Sequence, residues 1–221
     1  MTVKLLAICG SPRKATTEHC LEEAIAAARA AVAGIHVDTV LLRKARIEPC
    51  IHCNRCFQET VPRCPAHADD FNALARVWIE ADAYLVASPV YTMSLTPQLW
   101  ALLSRTRIYR NVFLERPDLY AYKVGAAITV GGAPHGGQET AGVAIAQFFM
   151  VKGVMFATGG KSYTGGTVWS QDGKLEGVKA DADGLERVRA TGRQLAKSAL
   201  VVRTGREALG LPDPSASIRW F

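Results

Sequence analysis

The sequence of 221 residues lacks any hydrophobic run near the roughly twenty residues that a membrane-spanning helix requires. Its N-terminus shows no basic segment followed by a long apolar stretch, which a secretory signal would have. Low-complexity segments and internal repeats are also absent. These absences predict a cytoplasmic protein with no membrane contact, in which clustered cysteines bind metal more often than they form disulfides.

Motifs for dinucleotides, triphosphates and nucleic acids are missing as well. No G-x-G-x-x-G follows the first apolar segment, which argues against a Rossmann dinucleotide site. Gly160-Lys161-Ser162 resembles the end of a P-loop, but Met155 stands where that motif needs its first glycine. The net charge of +6 comes from scattered basic residues without a nucleic-acid-binding motif, so we expect no nucleic-acid partner.

The chain does contain four cysteines within fifteen residues, Cys50, Cys53, Cys56 and Cys64, and Pro65 follows the last of them. The spacing C-x2-C-x2-C-x7-C is similar to the cysteine run of bacterial ferredoxins, which holds iron–sulfur clusters. A structural zinc site usually takes two separated pairs of ligands, and a C-x-x-C pair can instead act as a redox dithiol. The spacing favours a cluster, and zinc and a dithiol remain the alternatives.

Strand-like and helix-like segments alternate along the chain. Short apolar segments predict strands at Val3–Cys9, His36–Leu41, Ala83–Ala87, Val124–Val130 and Val154–Thr158. Helical periodicity predicts helices at Glu18–Ala33, Asp69–Glu80, Pro97–Tyr109, Gln138–Lys152 and Leu185–Leu200, the last capped by Asp183. This alternation predicts an α/β fold, a flavodoxin-like, doubly wound, five-stranded parallel sheet in the order 2-1-3-4-5.

The domain organisation follows from this alternation. Residues 1–203 are predicted to form one flavodoxin-like domain, and residues 48–65 a cluster-binding insertion after the second strand. Residues 204–221 are predicted to be a C-terminal tail, because they contain glycines and prolines without a clear period.

The loop after the first strand carries a candidate phosphate site. A turn of backbone amides followed by a helix N-terminus attracts anions, and hydroxyl groups and an arginine strengthen such a site. The alternative is that the serine and threonines only cap the helix. The candidate residues are Ser11, Arg13, Thr16 and Thr17.

The loops after the third and fourth strands would meet the first loop at the same sheet edge. The second loop offers an aromatic ring, a thioether and backbone amides, and the third offers glycines that allow close approach to a flat ring. Tyr91 and Met93 taken alone would be ordinary packing residues, so the prediction of a flavin ring site depends on the three loops together. The candidates are Ser88, Pro89, Val90, Tyr91, Met93, Ser94, Gly132, Gly136 and Gly137.

These segments together resemble a known family. GSPRK…TT, PCIHCNRC…CP, SPVY and GG…GGQET are similar to the motifs of the iron–sulfur flavoproteins in the flavodoxin-like, NADPH-dependent FMN reductase superfamily. The resemblance implies FMN in the loops, a 4Fe–4S cluster on the four cysteines, and dimers or tetramers that bring a cluster near a neighbouring subunit's flavin. The chain departs from the family pattern by a shorter first loop and by Trp100 and Ser104, where a lysine and an aspartate are common.

We therefore expect a flavin-dependent oxidoreductase that uses FMN and an iron–sulfur cluster. It would move electrons between a one-electron carrier and a two-electron donor or acceptor. No acid–base pair or nucleophilic triad stands out in the sequence, which agrees with electron transfer. The expected partners are a small ferredoxin-like protein or NAD(P)H, and a second or further copies of the chain. The alternatives are an NAD(P)H-dependent flavin, quinone or nitro-compound reductase with a zinc or non-catalytic cysteine site, and a zinc-stabilised regulator that is not an enzyme.

Overall fold

The central sheet confirms the predicted strand order. The computed structural model describes residues 2–216 and 218–220. In chain order the strands are β1 (Lys4–Cys9), β2 (His36–Leu41), β3 (Ala83–Pro89), β4 (Val124–Gly131), β5 (Met155–Phe156) and β6 (Gly166–Trp169). They pair in parallel as β2-β1-β3-β4-β5, and β6 also pairs with β4. The fold is therefore α/β, doubly wound and flavodoxin-like.

Helices cover both faces of the sheet. They are α1 (Thr16–Ala31), α2 (Phe71–Glu80), α3 (Pro97–Arg105), α4 (Arg110–Glu115), α5 (Gln138–Lys152), α6 (Leu175–Ala180) and α7 (Ala182–Ala208), with 3-10 turns at Leu42–Lys44, Arg55–Phe57 and Thr106–Tyr109. Side chains along β1 alternate between the two cores: Leu5 packs on the side of α1 and α7, and Leu6 on the side of α2, α3 and α5. Because both faces of β1 are buried from Leu5 onward, its sequence from Leu5 to Cys9 is an unbroken apolar run.

The fifth position of the sheet is shared by two short strands. Val124 and Gly125 of β4 pair with β5, and the later residues of β4 pair with β6. The predicted strand Val154–Thr158 is thus too long, and β6 was not predicted. The chain leaves the sheet after Phe156 and returns past Gly165, where an added Cβ would lie 2.2 Å from the carbonyl oxygen of Ala127. Only glycine allows so close a return.

Several helix ends differ from the predictions. Helix α1 begins two residues earlier than predicted, at Thr16, and the predicted helix Pro97–Tyr109 changes to a 3-10 turn after Arg105. Helix α7 is longer than predicted at both ends. Its cap is Asp181 rather than Asp183, since the carboxylate of Asp181 accepts a hydrogen bond from the Gly184 amide at 2.8 Å. Local capping signals two residues apart are not distinguishable from the sequence alone.

The C-terminal segment packs back onto the domain. Arg206 near the end of α7 lies 3.3 Å from the carboxylate of Asp213, and Ile218 and Trp220 pack against the core that contains α2, α3 and α5. Helix α7 continues past residue 203, the predicted end of the flavodoxin-like domain. The boundaries of the domain, of the insertion and of the tail stay predictions. Within residues 2–216 and 218–220, no helix is both long enough and apolar enough to cross a membrane.

Candidate functional site

The loops after β1, β3 and β4 are joined at the carboxyl edge of the sheet. The amide of Gly10 donates to the carbonyl of Ala87 at 2.7 Å, and the hydroxyl of Thr96 donates to the carbonyl of Gly10 at 2.7 Å. The amide of Val90 donates to the carbonyl of Val130 at 2.9 Å. Ligands of open α/β sheets bind at such an edge. The structure therefore brings the three predicted loops together at the sheet edge where the crevice of such folds lies.

The first loop presents the uncapped start of a helix. Thr16 and Thr17 form the first turn of α1 and are buried. Ala15 precedes them, and no side chain among the described residues accepts a hydrogen bond from this helix end at the cap position. Ser11 shapes the turn, because its hydroxyl accepts from the amide of Arg13 at 3.2 Å and donates to the carbonyl of Arg13 at 2.8 Å. Free amides at a helix start can hold a phosphate.

A carboxylate lies in the same helix turn but is neutralised. Glu18 is buried and pairs with Arg43 through two hydrogen bonds of 2.9 and 3.1 Å. The hydrogen bond from Arg43 holds the pKa of Glu18 below its ordinary value, so the carboxylate stays ionised and paired. Arg43 thus offsets the negative charge that would otherwise repel an anion from the start of α1.

The second loop contains a tight turn of non-glycine residues. Tyr91 and Ser94 exchange two backbone hydrogen bonds of 2.9 Å, and Thr92 and Met93 between them have φ angles of 48° and 62°. Left-handed conformations in such residues cost free energy and often mark functional sites. Tyr91 and Met93 are exposed at this turn, whereas Ser88 is fully buried and donates to the carbonyl of Pro89. Ser88 therefore supports the turn.

The third loop is built for close approach. Gly137 has a φ angle of 96°, and an added Cβ would lie 2.7 Å from the sulfur and 3.0 Å from the Cα of Met93. Gly136 donates its amide to the carbonyl of Ala133 at 3.2 Å. Beside Gly132, no atom of the described residues lies within 4 Å of an added Cβ. The loop thus touches the turn at Met93 and leaves open space at Gly132.

A fourth loop, after β6, completes this edge and was missed at the sequence level. The amide of Ser170 donates to the carbonyl of Gly131 at 2.8 Å, and the indole of Trp169 donates to the carbonyl of Gly132 at 3.0 Å. An added Cβ at Gly173 would lie 3.7 Å from the guanidinium of Arg13, which places this loop beside the first one. The signal that could have revealed β6 is Gly-Thr-Val-Trp, a β-branched and aromatic run followed by turn residues.

The four cysteines line a single cavity. Cys64 is buried, Cys50 and Cys56 are half-buried, and Cys53 is exposed, so the cavity reaches the surface. Burial raises the pKa of the Cys56 thiol, the neighbouring thiols of Cys64, Cys50 and Cys53 raise it further, and the Arg107 guanidinium acts in the opposite direction. The structure thus brings all four predicted ligands together, between β2 and α2.

Side chains hold this cysteine segment against the end of α3. Arg105 donates to both carboxylate oxygens of Asp69, at 2.8 and 3.2 Å, and to the carbonyl of Glu48 at 2.8 Å. Both charged side chains are only 1% exposed. Burial raises the pKa of Asp69, but hydrogen bonds from Arg105 and from the amides of Glu48 and Phe71 outweigh it and lower that pKa below its ordinary value. The pair is therefore ionised at neutral pH.

Two further contacts fix individual cysteines. The amide of Cys50 donates to the hydroxyl of Ser104 at 3.2 Å. The amide of Cys64 donates to the side chain of Asn72 at 2.8 Å, and Asn72 donates back to the carbonyl of Cys64 at 3.0 Å. The backbone of the first and last cysteine is thereby positioned on either side of the cavity.

Four cysteines are a donor set that an iron–sulfur cluster can use, and a zinc ion can use four thiolates as well. A single zinc ion needs about four ligand atoms within about 2.3 Å of one point. No group of three histidine, cysteine or carboxylate side chains in residues 2–216 and 218–220 converges in that way. In a 4Fe–4S cluster each thiolate binds a different iron atom, so the four sulfurs can stand farther apart than around one ion. His67, Arg105 and Arg107 line the same cavity, and each has a buried nitrogen atom without a hydrogen-bond partner among the described residues. A bound group that offers hydrogen-bond acceptors would suit them.

The crevice and the cavity lie at opposite ends of α3. This helix begins directly after the second loop, and its last residue is Arg105. Its nine residues span about 13 Å at the usual rise of an α-helix. Trp100 on α3 is partly exposed, and nothing in the structure explains why tryptophan stands there.

The fold is that of a flavodoxin-like protein, and the loops after β1, β3 and β4 meet at the carboxyl edge of its sheet. Residues 3–164 match the family of NADPH-dependent FMN reductases. An iron–sulfur flavoprotein from Archaeoglobus fulgidus is 34% identical over 195 residues, which cover 87% of this chain and 95% of that protein. A second, from Methanocaldococcus jannaschii, is 34% identical over 203 residues, which cover 91% of this chain and 100% of that protein.

The chain therefore belongs to the iron–sulfur flavoproteins of the NADPH-dependent FMN reductase family, and it is a flavin-dependent oxidoreductase. The resemblance noted in the sequence is confirmed. A solved structure of RosB with a bound intermediate, 8-demethyl-8-formylriboflavin-5'-phosphate, superposes with a TM-score of 0.70. It is 15% identical and covers 99% of this chain and 91% of its own, so it supports the fold alone.

Proposed function

We propose that this protein binds FMN and a 4Fe–4S cluster and transfers electrons between a one-electron carrier and a two-electron donor or acceptor. The observation that carries the proposal is the pair of sites joined by α3: a crevice of phosphate-binding type at one end and a four-cysteine cavity at the other. When bound, FMN exchanges one or two electrons and the cluster exchanges one, so the pair converts between the two kinds of partner. The proposed cluster ligands are Cys50, Cys53, Cys56 and Cys64.

Each loop has a distinct task in this proposal. The amides and hydroxyls of Thr16 and Thr17 hold the terminal phosphate, and Ser11 keeps the turn in shape. The exposed turn of Tyr91 and Met93 covers the ring, and Gly132 leaves room beside it. Backbone amides near the ring edge would tune its potential.

The exposure of the cysteine cavity suggests where electrons enter or leave. Cys53 is exposed, and Ile51 beside it is 62% exposed. A cluster held there would lie at the surface, within reach of a ferredoxin-like carrier or of a neighbouring subunit. We propose a homodimer or homotetramer in which the cluster lies near a neighbouring subunit, as the family resemblance implies.

A second candidate function is a reductase that takes hydride directly from NADPH. The family match, NADPH-dependent FMN reductase, favours this donor. In this second candidate function the cysteines hold zinc or have no role in the reaction. Metal analysis therefore separates the two proposed functions. Rapid bleaching of bound flavin by NADPH, with zinc in place of iron, would favour the reductase.

The test is anaerobic purification followed by measurement of iron, acid-labile sulfide and flavin, together with absorption spectra before and after reduction. We expect about four irons and one FMN per chain, as a 4Fe–4S flavoprotein requires. Colourless protein without iron would contradict the proposal.

The variant Cys53→Ala separates the two sites. Because Cys53 is exposed and lies away from the three loops along the chain, its removal should abolish the cluster absorbance and leave FMN bound. Cys20→Ala is the matched control, since Cys20 is a buried core thiol of α1 and should leave iron and flavin unchanged. Loss of both cofactors in Cys53→Ala would indicate a structural role for the segment.

A further inference from the structure

Three residues that line the cysteine cavity each carry a buried nitrogen atom without a hydrogen-bond partner among the described residues. These atoms are Nε2 of His67, Nε of Arg105 and Nε of Arg107. All three residues line the cavity together with the four cysteines. Buried polar atoms in native proteins nearly always have partners, so three unpaired atoms in residues of one small cavity call for an acceptor that the chain itself does not supply.

The remaining contacts of the two arginines show why these atoms are left over. The Nη atoms of Arg105 are taken by Asp69 and by the carbonyl of Glu48. Arg107 donates through Nη2 to the side chain of Asn54 at 2.8 Å, and its guanidinium lies 4.6 Å from the centre of the Phe57 ring. Both guanidinium groups are thereby held in place, and each has a buried Nε–H group without a partner among the described residues. Polar groups that are held in place but lack a partner are typical of a preformed binding site.

We propose that His67, Arg105 and Arg107 donate these N–H groups to sulfur atoms at the cysteine cavity and raise the reduction potential of the cluster held there. This inference rests on the proposed function, because it requires the cluster. Thiolate and sulfide sulfurs are hydrogen-bond acceptors, and reduction adds negative charge to them. Donors and positive charge nearby therefore stabilise the reduced form, as hydrogen bonds to the sulfurs do in iron–sulfur proteins generally.

His67 is the residue best suited to a test. Arg105 carries the buried pair with Asp69, so its replacement would disturb the fold of the segment. Replacing Arg107 would remove its contacts with Asn54 and Phe57 as well. The variant His67→Leu removes the donor and keeps a side chain of similar bulk, whereas His67→Gln keeps an N–H donor.

The experiment is an anaerobic redox titration of the cluster, followed by electron paramagnetic resonance, with iron and flavin measured on each sample. We expect His67→Leu to keep the iron and flavin content of the unaltered protein and to lower the potential. The equilibrium constant for one-electron reduction should fall about threefold to tenfold, and tenfold corresponds to about 59 mV. His67→Gln should lie close to the unaltered protein.

The outcomes separate this inference from the proposed function. An unchanged potential in iron-loaded His67→Leu would overturn the inference and leave the proposed function standing. Equal loss of iron from both variants would show that His67 acts by packing, which also overturns it. Loss of iron from His67→Leu alone would show that the donor is needed to hold the cluster rather than to set its potential, which overturns the inference as well. Absence of iron from the unaltered protein would refute the proposed function and this inference together.

Discussion

The crevice formed by the loops after β1, β3 and β4 and the cysteine cavity are held together by different kinds of contact. The loops of the crevice continue from strands, and backbone hydrogen bonds such as those of Gly10 and Val90 join them directly. The cysteine segment, residues 48–65, contains one short 3-10 turn, Arg55–Phe57, and side chains such as Arg105, Ser104 and Asn72 attach it. The crevice therefore depends on the fold, and the cavity depends on a few residues. Substitutions should accordingly damage one site and spare the other.

The largest effect is expected from Arg105→Met. Removing one partner of a fully buried ion pair leaves an uncompensated charge and typically costs about 3–5 kcal/mol. We expect the free energy of unfolding to fall by that amount, iron incorporation to be lost, and FMN to remain bound in the protein that stays folded. Denaturant unfolding and iron and flavin assays measure these quantities.

The double variant Arg105→Met with Asp69→Leu is the control for this prediction. Replacing both members of a buried pair by apolar side chains is often nearly neutral for stability. The double variant should therefore recover part of the lost free energy, but it should not recover iron, because Glu48 and the cavity still lack the guanidinium. Full stability and full iron content in Arg105→Met would show that the pair does not position the segment.

Gly137→Ala should have the opposite selectivity. A left-handed conformation in a residue with a side chain costs about 1–3 kcal/mol, and the new Cβ would also press on the turn at Met93. We expect FMN to bind about tenfold more weakly, the equivalent of about 1.4 kcal/mol, with iron content unchanged. Fluorescence titration of the apoprotein with FMN provides the measurement.

Gly205→Ala provides the matched control for a glycine substitution. Gly205 lies in α7, and within the described residues no atom lies within 4 Å of an added Cβ there. Alanine in a helix interior should raise stability by about 0.5–1 kcal/mol and leave both cofactors unaffected. Equal FMN affinity in Gly137→Ala and Gly205→Ala would show that the third loop is not part of the proposed flavin site.

The contrast between backbone contacts at the crevice and side-chain contacts at the cavity also explains what could be predicted from the sequence. The sheet order and the three loops were predictable because strand patterns, helix periodicity and the rule for parallel sheets act locally or follow from topology. The cysteine spacing likewise indicated a metal–sulfur site. Strand β6 has a local signal in Gly-Thr-Val-Trp, but its place in the sheet depends on a long-range approach of Gly165 to Ala127, which no local pattern encodes.

The contacts that build the cavity were beyond sequence reasoning for the same reason. Asp69 was predicted only as the start of a helix, yet it precedes α2 and pairs with Arg105, 36 positions away. His67 and Arg107 had no motif, and only the folded chain brings them to the cysteines. Ser104 was noted as a departure from the family pattern, and the structure shows that it accepts a hydrogen bond from Cys50.

Ser104→Ala should give the smallest effect and tests how far single contacts control the cavity. Ser104 is exposed, so water can replace its hydroxyl as the acceptor for the amide of Cys50. We expect a loss of stability of about 0.5–1.5 kcal/mol at most and unchanged iron and FMN content. Iron should nevertheless leave faster when a chelator is added, because the backbone of Cys50 is less firmly held. Ser104→Thr keeps the hydroxyl and should release iron at the original rate. Equal rates of iron release from the unaltered protein and both variants would mean that the contacts of Arg105 and Asn72 hold the cysteine segment without Ser104. The contrast between cavity and crevice would then depend on those two side chains alone.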